Sequence, residues 1–347
     1  MPLNSTPNLR TLVCVYLFSL GLIIGSAYTM YVHFDFSHSV DTKSYLKMAQ
    51  GDFNVTVTHR YRVIIPALAA AVAWPLEQIY TGIWPARAET LWPLRLGFFL
   101  VNSTLLALVG LILCRTCQLY GATFWSSVIA ITAVLTSRWA VYTAGLPLID
   151  SLYLLVFALA IYGIKARSKW ALVFCILIGP HAKESFIFLA PLLFFFGKNA
   201  LSRPWQVLLF VASAILAYSV RYLIDQQIQV EQTQSINNAL NHFNNILISI
   251  RRVFSPKGIG EVFSVFGIFT LVIFAGLLGG KAARQTWLRN LDAPLFWLLV
   301  IVLIHALLSS DIGRMSYLSA PAFAVACALI LDRHPFFSFL SGKEITG

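Results

Sequence analysis

The chain has 347 residues, of which 58% are hydrophobic and only 11% charged, with a mean hydropathy of +0.76. Ordinary soluble domains carry about 25% charged residues, so a set of soluble domains is excluded. Recurrent apolar runs of about 18 residues or more mark a polytopic helical membrane protein instead, without the alternation of a membrane β-barrel. The net charge of +11 comes from Lys and Arg set in small groups between apolar runs, a positive-inside pattern and not a nucleic-acid face.

The predicted architecture is all-α: a single transmembrane domain over residues 1–347, with roughly ten transmembrane or re-entrant helices. The apolar segments fall at 11–32, 62–80, 92–114, 122–140, 148–164, 170–197, 204–222, 260–280, 293–309 and 315–331. The first follows Arg10, is too long for a signal-peptide core and lacks a small-x-small cleavage site, so it reads as a retained helix. After it comes a first external loop, 33–61, containing "SVDTKSYLKMAQG" (39–51). That stretch reads as a short helix with Ser39 or Asp41 as its cap and Gly51 as its stop. "THRYRVIIPALAA" (58–70) follows. Cys114 and Cys117 form a lone CxxC with no second pair near it, so packing at a helix end is the default reading. A second large loop, 223–259, is rich in Gln and Asn.

Charge sets the orientation. "KARSK" (165–169), "GKNALSR" (197–203), "GKAARQTWLR" (280–289) and the tail after Asp332 are basic, which assigns them to the cytoplasm. The ends near Asp150, Arg221 and Asp311 then lie outside. Two full crossings at 62–80 and 92–114 would leave residue 121 on the wrong side. Either one segment is re-entrant or lies flat, or "WPARAETLWP" hides another break; the prolines at 66, 75, 85 and 93 favour a membrane-embedded turn there. Segment 170–197 has basic flanks at both ends and reads "IGPHAKESF" in its middle. A straight crossing strands Lys183 and Glu184 at mid-depth, at a cost of several kcal/mol. Two half-helices dipping from the cytoplasm, with the break facing water, satisfy both charge and backbone.

This topology gathers polar residues on the outer side: Asp35, His38, Asp41, His59, Arg60, Arg62, Asp150, Lys183, Glu184, Asp311 and Arg314. Each also has a plain structural reading. Asp41 and Asp150 read equally as helix-start residues, Asp35 as a solvated loop residue, and Arg60 and Arg62 as interfacial anchors. Lys183 and Glu184 read also as a mutual pair, and Asp311 and Arg314 as a pair at spacing i, i+3. The histidines lack metal-ligand spacing. The chemistry that uses such a set is transfer from a lipid-linked phosphate. A carboxylate takes the acceptor proton, and Arg and Lys hold the phosphate where charge develops.

An acidic first external loop, polar outer helix ends and about ten crossings resemble the GT-C superfamily of polyprenyl-phosphate-sugar-dependent glycosyltransferases. The resemblance implies a catalytic base at Asp41, or less directly Asp35. It implies substrate-binding roles for Arg60 and Arg62 in "HRYRVIIPALAA", for Lys183 in "AKES" and for Arg314 in "DIGRMSYLSAP", with Glu184 and Asp311 beside them as further substrate-binding candidates. His59 and Asp150 complete the candidate set. The first loop departs from the family pattern in lacking an adjacent acidic pair. The expected activity is inverting transfer of a sugar from a polyprenyl-phosphate donor to a lipid or glycan acceptor, on the non-cytoplasmic side of a bacterial inner membrane. A divalent cation between carboxylates and phosphate stays open as a cofactor, and no nucleic-acid partner is expected. The rival is a transporter or flippase of a lipid-linked or anionic solute, for which broken helices and buried charges serve equally.

Overall fold

The computed structural model describes residues 8–35, 39–228, 246–309 and 311–341, and every regular element among them is helical. Four helices are long and apolar enough to cross a membrane: Leu9–His33 (α1), Trp92–Leu119 (α6), Arg203–Ile228 (α12) and the run Ile312–Arg333. Three bent pairs raise the number to as many as seven: Phe124–Leu135 (α7) with Arg138–Gly145 (α8), Pro256–Phe263 with Gly267–Gly276, and Gly280–Leu288 with Ala293–Leu308. The chain is therefore a membrane-embedded helical protein. The ten apolar segments of the sequence do not become ten spans, and two of them show why.

The first is Ile64–Ile83 (α4). It is one continuous helix with Pro75 inside it, so the prolines at 66 and 75 make no turn, and the chain reverses only around the short helix Pro85–Ala88 (α5). Its beginning lies by Arg62, which bonds Tyr45 and Glu184. Its end carries Tyr80 beside Tyr31, in the last turn of α1. Arg95 at the start of α6 donates to the Tyr31 carbonyl at 2.7 Å. Both ends of α4 thus sit at the same end of the bundle, here called the site end, and only α6 carries the chain across. Gly97 permits the close packing: a Cβ there would lie 2.4 Å from the Ala69 carbonyl oxygen, a backbone atom that cannot move aside.

The second is the segment Lys169–Ala182 (α10), a break, and Ala190–Phe196 (α11). A Cβ on Gly197 would touch Leu172 in the first turn of α10, so the segment leaves one end of the bundle and returns to it. The segment turns back as expected, but α10 runs through Gly179 and Pro180 to Ala182, so the break falls at Lys183 and not at the glycine-proline pair. Arg167 in the left-handed region at φ 54° and the Ser168 cap turn the preceding helix, Asp150–Ala166 (α9), directly into α10.

The remaining elements at the site end are short. Val40–Ala49 (α2) starts at Ser39, whose hydroxyl accepts from the Thr42 N–H, and is followed by Gly51 at φ 87°. Ser39, not Asp41, is therefore the cap, which leaves the Asp41 carboxylate free for other partners. Val57–Arg60 (α3) follows. At the opposite end, Lys165 Nζ and the Tyr120 hydroxyl both bind Asp292, at 3.0 and 2.7 Å, and Arg333 donates to the Gly121 carbonyl. The basic connections lie at this second end, as the charge pattern requires. Cys114 and Cys117 are buried in α6. His38 and most of the Gln/Asn-rich loop, 229–245, lie outside the described residues.

Candidate functional site

Residues far apart in the chain meet at the site end. Arg314 is the hub. Its Nη1 donates to Asp41 Oδ2 at 2.6 Å, its Nε donates to Asp150 Oδ2 at 2.9 Å, and its Nη2 also binds Asp150. Lys183 Nζ lies 3.6 Å from the other Asp150 oxygen and contacts the Met315 sulfur. His59 Nε2 lies 3.2 Å from Asp41 Oδ1. Beside this chain of charges, Arg62 binds Glu184 through Nε and Nη2, at 3.0 and 2.9 Å, and donates from Nη1 to the Tyr45 hydroxyl at 3.0 Å. Three cations, Arg62, Lys183 and Arg314, face three carboxylates, Asp41, Asp150 and Glu184.

Local structure places each of these groups. Asp150 opens α9 after a bent, non-helical stretch, 146–149. Asn102 of α6 donates to the Leu146 and Leu148 carbonyls, at 3.2 and 3.0 Å, and accepts from the Ser151 hydroxyl at 2.5 Å. This satisfies buried carbonyls of the non-helical stretch before α9 and fixes where the carboxylate emerges. Lys183 is extended at the break after α10, φ −165° and ψ 139°, so it and Glu184 point to different partners and do not neutralise each other. Below them, Ser185 donates to the Tyr153 hydroxyl at 3.2 Å, and that hydroxyl bonds His305 Nε2 at 2.8 Å. His305 Nδ1 faces the Ile301 carbonyl. A carbonyl only accepts, so Nδ1 carries the ring proton and Tyr153 donates to Nε2. The Tyr153 ring also lies under Lys183 at 5.7 Å. Tyr45, Tyr153 and His305 escape a sequence search because they are ordinary core types; only their partners reveal them.

Asp311 caps the helix Ile312–Ser316 by accepting from the Arg314 N–H at 3.2 Å. The expected Asp311–Arg314 side-chain pair does not form: the guanidinium points to Asp41 and Asp150. Burial pushes the Asp311 carboxyl upward, against the pull of the Arg314 N–H and charge. Arg60 also leaves the expected set. Its Nε and Nη2 donate to the Phe53 and Val55 carbonyls, at 3.2 and 2.9 Å, and its Nη1 lies 3.8 Å from Asp225. It fastens the loop before α3, whose carbonyls have no helix to satisfy them. Asp35 is exposed beyond the end of α1 and is not one of the carboxylates on Arg314.

The electrostatics follow from this geometry. Burial alone pushes the Asp41 carboxyl up. The hydrogen bond from His59 and the charge and hydrogen bond of Arg314 outweigh it, and hold Asp41 well below the usual carboxylate range. Thr56 Oγ1 lies 2.8 Å from His59 Nδ1. A proton on Nε2 is what the ionised Asp41 requires, and in the neutral ring that leaves Nδ1 to accept from Thr56. Tyr45 is pushed up to about 12 by burial, with Arg62 and Arg314 pulling the other way. Among the described residues no group of three or more His, Cys, Asp or Glu is arranged to hold a metal ion.

A groove of about 950 Å³ runs beside the cluster, between the α10–α11 segment and α12. Phe186, Ile187, Phe194, Phe195, Phe210 and Ala217 line it, and Glu184 and Arg221 are its charged members. Glu184 is thus shared between groove and cluster. Comparison with protein-family models, with curated proteins and with solved structures gave no match.

Proposed function

We propose that the chain is an integral membrane glycosyltransferase that moves a sugar from a polyprenyl-phosphate donor to a lipid or glycan acceptor, with inversion, at the outer face of a bacterial inner membrane. The observation that carries this reading is the meeting of Asp41, Asp150, Arg62, Lys183, Glu184 and Arg314 in one cluster at the end of the bundle away from the basic connections. Buried charges of so apolar a chain held in one place support a functional site over scattered structural pairs, and the adjoining apolar groove suits a donor with a long hydrocarbon tail.

In this reading Arg314, Lys183 and Arg62 take the donor phosphate, Arg by paired N–H donors and Lys as a point charge. Arg314 leaves Asp41 as it turns to phosphate. The acceptor hydroxyl oxygen attacks the anomeric carbon and its proton passes to Asp41. The bond from that carbon to the phosphate oxygen breaks, and its electron pair stays on the polyprenyl phosphate. One displacement inverts the anomeric centre. His59 keeps Asp41 oriented through Oδ1, while Asp150 and Glu184 position the cations.

Asp41→Asn keeps the shape and removes the proton acceptor. In purified protein it is expected to abolish transfer of labelled sugar from a polyprenyl-phosphate donor while leaving the fold intact, with a lower thermal midpoint because the charge that Arg314 and His59 hold is gone; near-normal turnover removes Asp41 from the role. The dipping α10–α11 segment with Lys183 at its break favours a second reading, transport of a lipid-linked or anionic solute. Solute flux in proteoliposomes that follows a proton or sodium gradient, with no glycosylated product, decides for it.

A further inference from the structure

Arg221, on α12, belongs to no ion pair among the described residues. Its guanidinium lies 4.9 Å over the Tyr61 ring, and the nearest acid along the helix, Asp225, is engaged by the Tyr61 hydroxyl at 2.8 Å and by Arg60. Arg221 is exposed, yet it is one of the two charged residues of the apolar groove. The three cations of the cluster are in the opposite condition, each held by a carboxylate of this chain. An anion in the groove therefore finds there one cation outside the described ion pairs, Arg221, while Glu184, which covers Arg62, carries the charge of the wrong sign. The groove walls are aromatic and aliphatic, so the ligand that fits them brings a hydrocarbon chain. The cation at its edge fits a phosphate.

We propose that Arg221 is a loading point for the headgroup of a long-chain lipid phosphate whose chain lies in the groove, and that the Arg62–Glu184 ion pair is the gate this headgroup passes to reach the charged cluster. The proposal rests on the reading of the cluster as a phosphate-handling site. Passage exchanges one anion for another on Arg62: the phosphate takes the guanidinium and the Glu184 carboxylate swings away. Arg62 keeps its bond to the Tyr45 hydroxyl throughout, which holds it in place during the exchange.

Binding to the purified full chain in detergent tests this without any turnover, using farnesyl monophosphate as probe, farnesol as the uncharged control and inorganic phosphate as the chain-free control. Farnesyl monophosphate is expected to bind saturably, farnesol about tenfold more weakly, and phosphate not measurably at the same concentration. Arg221→Gln is expected to weaken the probe about tenfold, Arg221→Lys to restore most of that loss, and Ala217→Trp to block the groove. Glu184→Gln carries the test of the gate. Losing the competing carboxylate tightens binding, whereas a purely structural role for Glu184 weakens it. Equal binding of farnesol, or an unchanged Arg221→Gln, overturns the loading point; weaker binding by Glu184→Gln overturns the gate. If the probe follows this pattern and no sugar is transferred, the loading point stands and glycosyl transfer falls. If transfer depends on Asp41 while Arg221→Gln binds normally, the reverse holds.

Discussion

Arg314 occupies a position that Lys cannot fill. One planar guanidinium reaches two carboxylates from different helices, and a single ammonium has no matching fork. With its side chain 14% exposed and that of Asp150 9% exposed, the pair is buried enough that removing one member leaves an uncompensated charge. Arg314→Gln is expected to lower stability by about 3–5 kcal/mol, read as a lower thermal midpoint in detergent, with Asp150→Asn combined in the same chain recovering part of the loss. Asp41 adds a pH signature. Its folded value is depressed, so its contribution to stability is complete above about 4, the ordinary carboxylate value, and is lost as pH falls below it. In the free protein Arg314 keeps Asp41 ionised; once phosphate draws Arg314 away, the carboxyl rises. The acid limb of kcat, which reports the bound complex, is therefore expected at higher pH than that of kcat/KM, which reports the free protein. Coincident limbs in a pH–rate series show that Arg314 stays on Asp41 during turnover. Much of this residue list was legible in the sequence, because an ionised group in so apolar a chain is conspicuous. The pairings were not. Arg314 meets acids 164 and 273 positions away, while local spacing favoured Asp311, three residues off, and favoured Arg60 as readily as Arg62.

At the scale of the element, the break in the α10–α11 segment is what presents Lys183 and Glu184. Gly179 and Pro180 pointed to a break in sequence, since Pro in a helix interior removes a hydrogen bond and crowds the preceding turn, but α10 tolerates both and gives way only at Lys183. The structure gives the glycine a different role. A Cβ at Gly179 would fall 2.2 Å from the Phe186 ring, so the returning chain packs onto the bare glycine backbone. Gly179→Ala is expected to cost about 1–3 kcal/mol of stability and to displace the break. Truncating the ring as well, in Gly179→Ala with Phe186→Ala, is expected to cost less than the sum of the two single changes; strict additivity in thermal unfolding refutes the contact. The shape of α4 was illegible for a complementary reason. Four prolines suggested a turn, yet Pro66 lies in the first turn of α4 and Pro93 at the start of α6, where a missing N–H costs little, and only Pro75 lies deep within a helix. Composition reports that a stretch is apolar; it does not report whether the stretch crosses or turns back.

The whole molecule has two unlike ends. One gathers the paired charges, the groove edge and the short helices α2 and α3. The other carries the basic connections, tied by the Lys165–Asp292–Tyr120 contacts and the Arg333–Gly121 bond. This asymmetry was legible from charge alone, which also showed that 62–80 and 92–114 could not both be full crossings but not which of the two fails to cross. With both ends of α4 at the site end, Arg10 and the basic connections fall on one side without a further break. Single cysteines test that placement. In a chain with Cys14 replaced by Ser, Gly82→Cys at the exposed end of α4 is expected to react with a membrane-impermeant maleimide from outside intact cells. Arg167→Cys, in the turn between α9 and α10, is expected to react only after permeabilisation. If α4 spans the membrane, position 82 instead joins position 167 in needing permeabilisation. The site end and the basic end then cannot lie on opposite faces of the bilayer, and an outer-face donor loses its route to Arg314.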